Sequence, residues 1–383
     1  MDFKGGFVLK DYQSELEENS TLQKLRNNLW SKDGSSKMSV LVGAGFSRNA
    51  KKLDDNLKSM ALWSNLRDKM LEELDDKKDY KEMEVTELAD IYKDTYGVVE
   101  LEKMLKAEIP DDNYEPGGIH KSLLELPFSD VFTTNYDTLL ERTANHVYNR
   151  NYQIIADPRD ITGSTSPRIV KLHGSFPSNR PFVFSKSDYD TYEEKSAPFV
   201  NMVRQSIMET TMILIGFSGD DPNFKNWIKW IGESLGEHSP KIYMLDLNIT
   251  NVENHPMIVP IDLAEIFDTS LEGQRYEVFL TEFLKFLSEQ PIKKPKNWPH
   301  ISYSKIPKVK GFNKEIDKTE SKEVIRMLRN NREQYPGWLV LPYKIYTKEH
   351  INYTVNDLEF RIKNIADNNI KSSLLYELLD RLH

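Results

Sequence analysis

Four short stretches of the chain place ligand-holding or proton-moving residue types directly after apolar runs. Ser39 to Val42 leads into Gly43-Ala44-Gly45-Phe46-Ser47-Arg48, and Val131 to Thr133 into Thr134-Asn135-Tyr136-Asp137. Ile169 to Leu172 leads into His173-Gly174-Ser175, and Met212 to Ile215 into Gly216-Phe217-Ser218-Gly219-Asp220-Asp221. Glycines one residue apart permit a sharp turn and leave no Cβ to block a phosphate pressed against the backbone. A helix starting there adds unpaired N–H groups and the positive end of its dipole. The Ser47 hydroxyl and Arg48 are further donors. An asparagine amide both donates and accepts, so Asn135 suits orienting hydroxyls or an attacking water. His173, with an ordinary pKa of about 6.5, suits taking a proton from a hydroxyl or from water.

These residues act together only if something brings their loops together. In an open parallel sheet, ligands sit outside the carboxyl ends of the strands, where four such ends can converge on one crevice. The glycine turn reads as the first βα turn of a dinucleotide-binding fold, with one departure. Arg48 stands where the third glycine of G-x-G-x-x-G would fall, so on its own the pattern is equally a tight turn. The ordered set of four resembles the sirtuin-like superfamily. Sirtuins carry GAG-x-S, T-Q-N-x-D, H-G and G-T/F-S in this order and use them to bind and cleave NAD. Here the counterparts are Gly43 to Ser47, Thr133 to Asp137, His173-Gly174 and Gly216 to Ser218, and the resemblance covers roughly residues 35 to 250.

The resemblance implies an α/β fold, a Rossmann-like parallel sheet with helices on both faces, and NAD as substrate. It implies that Asp137 reads the nicotinamide carboxamide, while Ser218 and Asp246-Leu247-Asn248 meet the adenosine half. The expected catalytic residues are Asn135, His173 and Asp137. The expected binding residues are Gly43, Ala44, Gly45, Ser47, Arg48, Gly216, Ser218 and Asn248. Several have plainer readings. Asp137 or Thr138 could cap the helix that follows, and Thr138 with Glu141 fits a capping box. Asn135 beside it and three companion motifs make Asp137 a site residue, and Thr138 is left as the cap. Of eight histidines, His173 is singled out because it follows the apolar run IVKL and precedes a glycine. Asp220 reads as a loop or cap residue.

Composition narrows the classes. At 383 residues and 39% hydrophobic content the chain can bury an α/β core and one further small region. A formal charge of −9 argues against a general nucleic-acid binder, which needs a basic footprint. There are no cysteines, which excludes disulfides, thiol nucleophiles and Cys-ligated zinc. Sirtuin deacylases usually carry a four-cysteine zinc ribbon that helps form the acyl-peptide groove, so its lack turns the reading away from deacylation. No His/Asp/Glu cluster has ligand spacing, and no metal is expected. No apolar run reaches the roughly 18 residues needed to span a membrane, and the first residues lack a signal-peptide core. The expected location is the cytoplasm.

The elements expected around the motifs follow from periodicity. Leu22, Leu25 and Leu29 mark a helix over residues 11–30. A charged helical insertion spans about 53–118, with Met60, Trp63, Leu66, Met70 and Leu74 on one face, where other sirtuins have their ribbon. Strands are expected at Asp130 to Thr133, Arg168 to Leu172, Pro181 to Phe184, Thr211 to Ile215 and Lys241 to Leu245. Helices are expected at His120 to Leu126, Asp137 to Tyr148, Ser185 to Tyr192, Ala197 to Glu209 and Gln274 to Ser288. Asp221-Pro222 is an acidic cap followed by proline, a helix start, with Phe224, Trp227, Ile228, Ile231 and Leu235 as the buried stripe. A catalytic domain over 1–290 is followed by a Pro/Lys-rich linker at 291–311. A small C-terminal α+β extension over 312–383 is expected to serve interaction or assembly.

By resemblance, the cysteine-free members with T-T-N-Y-D-type motifs are bacterial defence proteins that deplete NAD on phage infection. The expected activity is hydrolysis of NAD to nicotinamide and ADP-ribose, in a homo-oligomer or with a HerA-type ATPase partner, and without nucleic acid or membrane. Two alternatives stay open: an NAD-dependent deacylase or ADP-ribosyltransferase, and a non-catalytic nucleotide-sensing scaffold.

Overall fold

The computed structural model describes residues 12–30, 36–74, 80, 82–247, 255–267, 275–290, 318–334 and 352–382. The chain forms two compact units, Met1–Pro291 and Ile292–His383.

Nine strands are present among the described residues: β1 (Met38–Val42), β2 (Lys51–Lys52), β3 (Tyr114–Glu115), β4 (Asp130–Thr133), β5 (Gln153–Ile155), β6 (Arg168–Lys171), β7 (Thr211–Ile215), β8 (Ile242–Asp246) and β9 (Ile258–Asp262). Seven form one sheet in the order β5-β6-β4-β1-β7-β8-β9, and every pairing in it is parallel. Strands covered on both faces read as nearly unbroken apolar runs rather than alternating ones. All five residues of β1, MSVLV, are accordingly buried. The register sets Val42 beside Thr133 on one side and Ile215 on the other, and Thr133 beside Lys171. The carboxyl ends of β1, β4, β6 and β7 therefore lie level. From β1 the chain builds the sheet towards β4, β6 and β5, then returns to β1's other side with β7. A reversal of strand order such as this one at β1 is where ligands of open α/β sheets bind.

In the first unit the helices are α1 (Tyr12–Glu18), α2 (Ser20–Leu29), α3 (Ala44–Ser47), α4 (Trp63–Glu73), α5 (Val85–Tyr96), α6 (Val98–Glu108), α7 (Gly118–Glu125), α8 (Leu139–Ala144), α9 (Lys186–Lys195), α10 (Ala197–Glu209), α11 (Pro222–Leu235), α12 (Leu263–Ile266) and α13 (Arg275–Ser288). Successive strand side chains point to opposite faces, which divides the core. Val40, Val42, Val131, Ile213 and Ile215 join leucines of α1, α2 and α7 and the Phe/Leu face of α13. Leu41, Phe132, Val170, Met212 and Leu214 pack with Tyr189 and Tyr192 of α9, Phe199 and Val203 of α10, and Phe224, Trp227 and Ile231 of α11.

The helical insertion is α4 to α6, closed off by the antiparallel β2–β3 pair. Its own core, including Met70, Leu88, Leu101 and Leu105, also takes in Tyr136, Phe176, Phe182 and Phe184. The insertion thus packs directly on the loops that follow β4 and β6, and so supports the residues of interest.

Several elements differ from expectation. In place of one helix, Tyr12–Glu18 and Ser20–Leu29 form two, because the Asn19 side chain accepts hydrogen bonds from Thr21 N (3.0 Å) and Leu22 N (3.2 Å) and starts a second one. The helix expected to reach Tyr148 ends at Ala144. Pro181 to Phe184 is not a strand; Val183 N instead bonds the carbonyl of His173 at 3.1 Å. Strands β5 and β9, the two edges of the sheet, were not expected from sequence: β5 is three residues long and β9 contains Pro260.

The described residues of the second unit form α14 (Lys318–Gln334), α15 (Asn352–Asn364) and α16 (Asn368–Leu382). Val324, Leu328, Leu358, Ile365, Ile370 and Leu374 form its core. Arg361 is fully buried beside Asp357 and Glu320, each at 2.9 Å. The Pro/Lys-rich stretch 291–311 and the apolar run Gly337 to Leu341 lie outside the described residues.

Candidate active site

The first and fourth loops meet through glycine. Gly45 N donates to Gly216 O at 2.9 Å, and Gly43 N to Ile215 O at 3.1 Å. A Cβ on Gly43 would lie 2.4 Å from Gly216 O, and one on Gly216 (φ +61°) 2.2 Å from Phe46 N. The space that the missing side chains leave is therefore occupied by neighbouring backbone. Beside the reason drawn from sequence, the glycines therefore have a second one: they let two loops touch.

Directly beyond the glycine turn, three of the expected residues form one buried hydrogen-bonded group. Thr133 Oγ1 donates to Val42 O (2.9 Å) and accepts from Asn135 N (3.1 Å), which locks the loop after β4 onto the end of β1. Asn135 Nδ2 then donates to Gly43 O at 3.0 Å and to Ser47 Oγ at 2.8 Å. Ser47 Oγ donates onward to Asp137 Oδ2 at 2.7 Å. Asp137 Oδ1 accepts from Leu139 N at 3.2 Å, so Asp137 closes the turn into α8. Thr138 does not: its hydroxyl and its N–H both bond Asp111, and no side-chain cap is made by Thr138. The expected Thr138–Glu141 capping box is therefore absent, because Thr138 bonds Asp111 and Arg142 (2.8 Å apart) instead.

Below this group Lys171, 1% exposed, reaches from the end of β6 to the carbonyl of Asp137 and to Glu141 Oε1 at 3.0 Å. Ser175 Oγ donates to the same Glu141 oxygen at 2.8 Å. A buried ammonium and carboxylate thus tie the loop after β4 to the loop after β6. Burial pushes the Asp137 carboxyl above the ordinary carboxylate range, opposed by the charge of Lys171 and the Ser47 hydrogen bond.

His173, 2% exposed, stands at the end of β6, the neighbour of β4. Its ring lies edge-on to Tyr189 and Tyr192, each with centroids 5.5 Å away. Its Nε2 is 3.2 Å from Asn223 Nδ2 and 3.9 Å from Asp221 Oδ2. Asp221 Oδ2 accepts from Tyr189 OH at 3.0 Å, while Asp221 Oδ1 caps α11 through Phe224 N at 3.0 Å. Burial pushes the imidazole below its ordinary value, and Asp221 pulls it partly back. No direct hydrogen bond joins His173 to Asn135 among the described residues. Tyr136 links the two loops instead: its hydroxyl donates to Val183 O (2.7 Å) and its carbonyl accepts from Phe176 N (2.8 Å).

The remaining expected residues are dispersed by role. Ala44 is half-buried, and Arg48 and Ser218 are exposed; Ser218 Oγ accepts from Asp220 N at 3.3 Å. Asn248 lies outside the described residues. Asp221 and Glu141 were read from sequence only as capping residues, and Asn223, Tyr189 and Lys171 were not given a site role. A lone lysine inside the apolar run IVKL was a signal, since a buried ammonium requires a partner. Asn223, one helical position after Pro222, gave none. Among the described residues no group of three or more His, Cys, Asp or Glu side chains could hold a metal ion. No described helix is long and apolar enough to cross a membrane.

Sheet order and loop chemistry define an open parallel α/β protein whose strand order reverses at the first strand. Within it, residues 129–256 match the model of the SIR2-like domain. It is 25% identical to Defense-associated sirtuin 2 of Bacillus subtilis over 61% of this chain and 24% of that protein. It is 28% identical to NAD(+) hydrolase ThsA of Enterococcus faecium over 53% of this chain and 41% of that protein. With the ThsA of Acinetobacter baumannii the identity is 30%, over 37% of this chain and 30% of the relative. The chain thus spans less than half the length of these relatives. A solved Sir2 homologue in complex with NAD superposes at 15% identity and a TM-score of 0.40, over 69% of this chain and 93% of that one.

Proposed function

We propose that the chain is an NAD hydrolase that splits the nicotinamide–ribose bond and serves bacterial anti-phage defence by depleting NAD. The observation that carries this reading is the hydrogen-bonded set Ser47, Asn135 and Asp137 at the joined ends of β1 and β4, with His173 at the end of the next strand. The names of the relatives, NAD(+) hydrolase and defense-associated sirtuin, support it.

Departure of nicotinamide leaves an oxocarbenium-like ribose, as in glycosidic cleavage generally. In this reading Asp137 holds the carboxamide, and Asn135 orients a ribose hydroxyl or the attacking water with an amide that already bridges Gly43 and Ser47. His173 accepts the proton given up as water adds to the anomeric carbon. NAD and water become nicotinamide, ADP-ribose and one proton, which His173 returns to solvent. Gly43, Gly45 and Gly216 hold the first and fourth loops in register, with Ser47, Arg48, Ser218 and Asn248 toward the rest of the dinucleotide. Self-association, a HerA-type ATPase partner, assembly through 312–383 and a cytoplasmic location belong to the same proposal.

The test is nicotinamide release from NAD alone, with no acyl-peptide, repeated with any co-purifying partner in case the resting chain is inactive. Asn135→Ala and His173→Ala are each expected to lower the rate by about a hundredfold or more with unchanged circular dichroism. NAD bound but left intact, or both variants fully active, overturns the reading.

A further inference from the structure

The first turn of α11 reaches His173 through two of its side chains, those of Asp221 and Asn223. Asp221 divides its carboxylate: one oxygen caps the helix, while the other faces the imidazole at 3.9 Å and is held by Tyr189 OH at 3.0 Å. Asn223 is itself buried and sets its amide 3.2 Å from the same ring nitrogen. We propose that Asn223 and Asp221 are positioning residues for His173, the amide fixing the ring and its protonation pattern and the carboxylate stabilising the imidazolium formed when the ring takes a proton.

The choice of an amide has a physical reason. Neutral imidazole offers a lone pair at a nitrogen that in the imidazolium carries a hydrogen. An amide serves both states, donating through Nδ2 in the first and, turned about its axis, accepting through Oδ1 in the second. A lysine or a carboxylate in contact would serve only one. Asp221, set further away and neutralised in part by the Tyr189 hydrogen bond, biases the ring without forcing it to stay charged. The other titratable groups around the ring come from two further elements. Tyr189 and Tyr192 of α9 both have hydroxyls raised well above the ordinary range by burial. Tyr136, from the loop after β4, is raised in the same way. All three stay neutral, which leaves Asp221 as the charge that decides. Asp188 turns to Ser185 and Lys93, and Lys171 to Glu141.

This inference rests on His173 acting as the base proposed above, and the experiment separates the two. In the 383-residue chain, the His173 imidazole is titrated by NMR with 13C-labelled histidine, assigned through His173→Gln, without NAD present. The pH profile of kcat/KM for NAD is measured in parallel. Asp221→Asn keeps a helix-capping side chain and is expected to move the His173 titration and the acidic limb of the profile down by about one pH unit. Asn223→Asp is expected to move both up by a similar amount. Asn223→Ala is expected to lower kcat about tenfold with KM nearly unchanged, and Asn223→Gln to recover part of the loss. If the titration of His173 stays in place in both charge variants, the inference fails. If it moves as stated while no NAD is cleaved, the positioning pair stands and the hydrolase reading falls.

Discussion

Ser47 donates its hydroxyl hydrogen to Asp137 at 2.7 Å while accepting one from Asn135 at 2.8 Å. One serine therefore orients the two most buried polar residues of the second loop from the first. Replacing Ser47 by Ala leaves Asn135 and Asp137 each short of a partner at positions with almost no access to water. An unmade buried hydrogen bond costs about 1–3 kcal/mol. Ser47→Ala is expected to lose about that much stability in urea unfolding. Nicotinamide release should fall more steeply than the stability loss explains, with Ser47→Thr partly restoring it.

Lys171 and Glu141 form a buried pair at 3.0 Å beneath the same group. Breaking such a pair from one side strands a charge, which costs about 3–5 kcal/mol. Lys171→Met should therefore be among the most destabilising single changes outside the apolar core. Replacing both, Lys171→Met with Glu141→Gln, should recover much of the loss, because neither charge is then left alone. Denaturant midpoints of the two singles and the double decide it; simple additivity would mean the pair is not coupled.

Gly216 holds φ +61° with Phe46 N at 2.2 Å from where a Cβ would be built. Gly216→Ala meets strain in the backbone and a clash with main chain that cannot rotate away. The expected outcome is a loss of about 3 kcal/mol or more, or failure to accumulate as folded protein. Gly163, at φ +80° with open space around it, is the control: Gly163→Ala meets only the backbone strain and should be the milder change in the same thermal melt.

His120 is fully buried at the start of α7, where its Nδ1 accepts from Gly117 N at 3.1 Å. Burial holds its imidazole down to about 4. A depressed folded value means the unfolded chain binds the proton more readily. The associated stability is present above about 6.5 and is lost as pH falls through about 4. His173, also depressed by burial, adds a loss of the same sign. His120→Gln keeps a capping acceptor for Gly117 N but cannot titrate. The variant should show a flatter decline of melting temperature between pH 6.5 and 4, and an unchanged slope would refute the assignment.

What sequence alone determined is local and chemical. A β-branched apolar run before a glycine pair names its own strand and turn, and β1 falls within Met38–Val42. Asp221-Pro222 starts a helix whatever surrounds it, and α11 begins there with Asp221 as cap. Thr211 to Ile215 and Ala197 to Glu209 were equally legible, since unbroken apolar runs and three-four spacing survive any context. Tertiary structure decided which polar residue answers which. Thr138 lost its cap because Asp111, 27 residues earlier in the chain, reaches it first. The glycines owe their type to a backbone contact between residues 43–45 and 216, separated by the whole first half of the sheet. Asn223 carries no signal in the chain around it, and only the packing of α11 against the end of β6 brings its amide to His173. Periodicity records which face of an element is buried. It does not record which distant side chain will share that burial, and there the partner of each polar group is chosen.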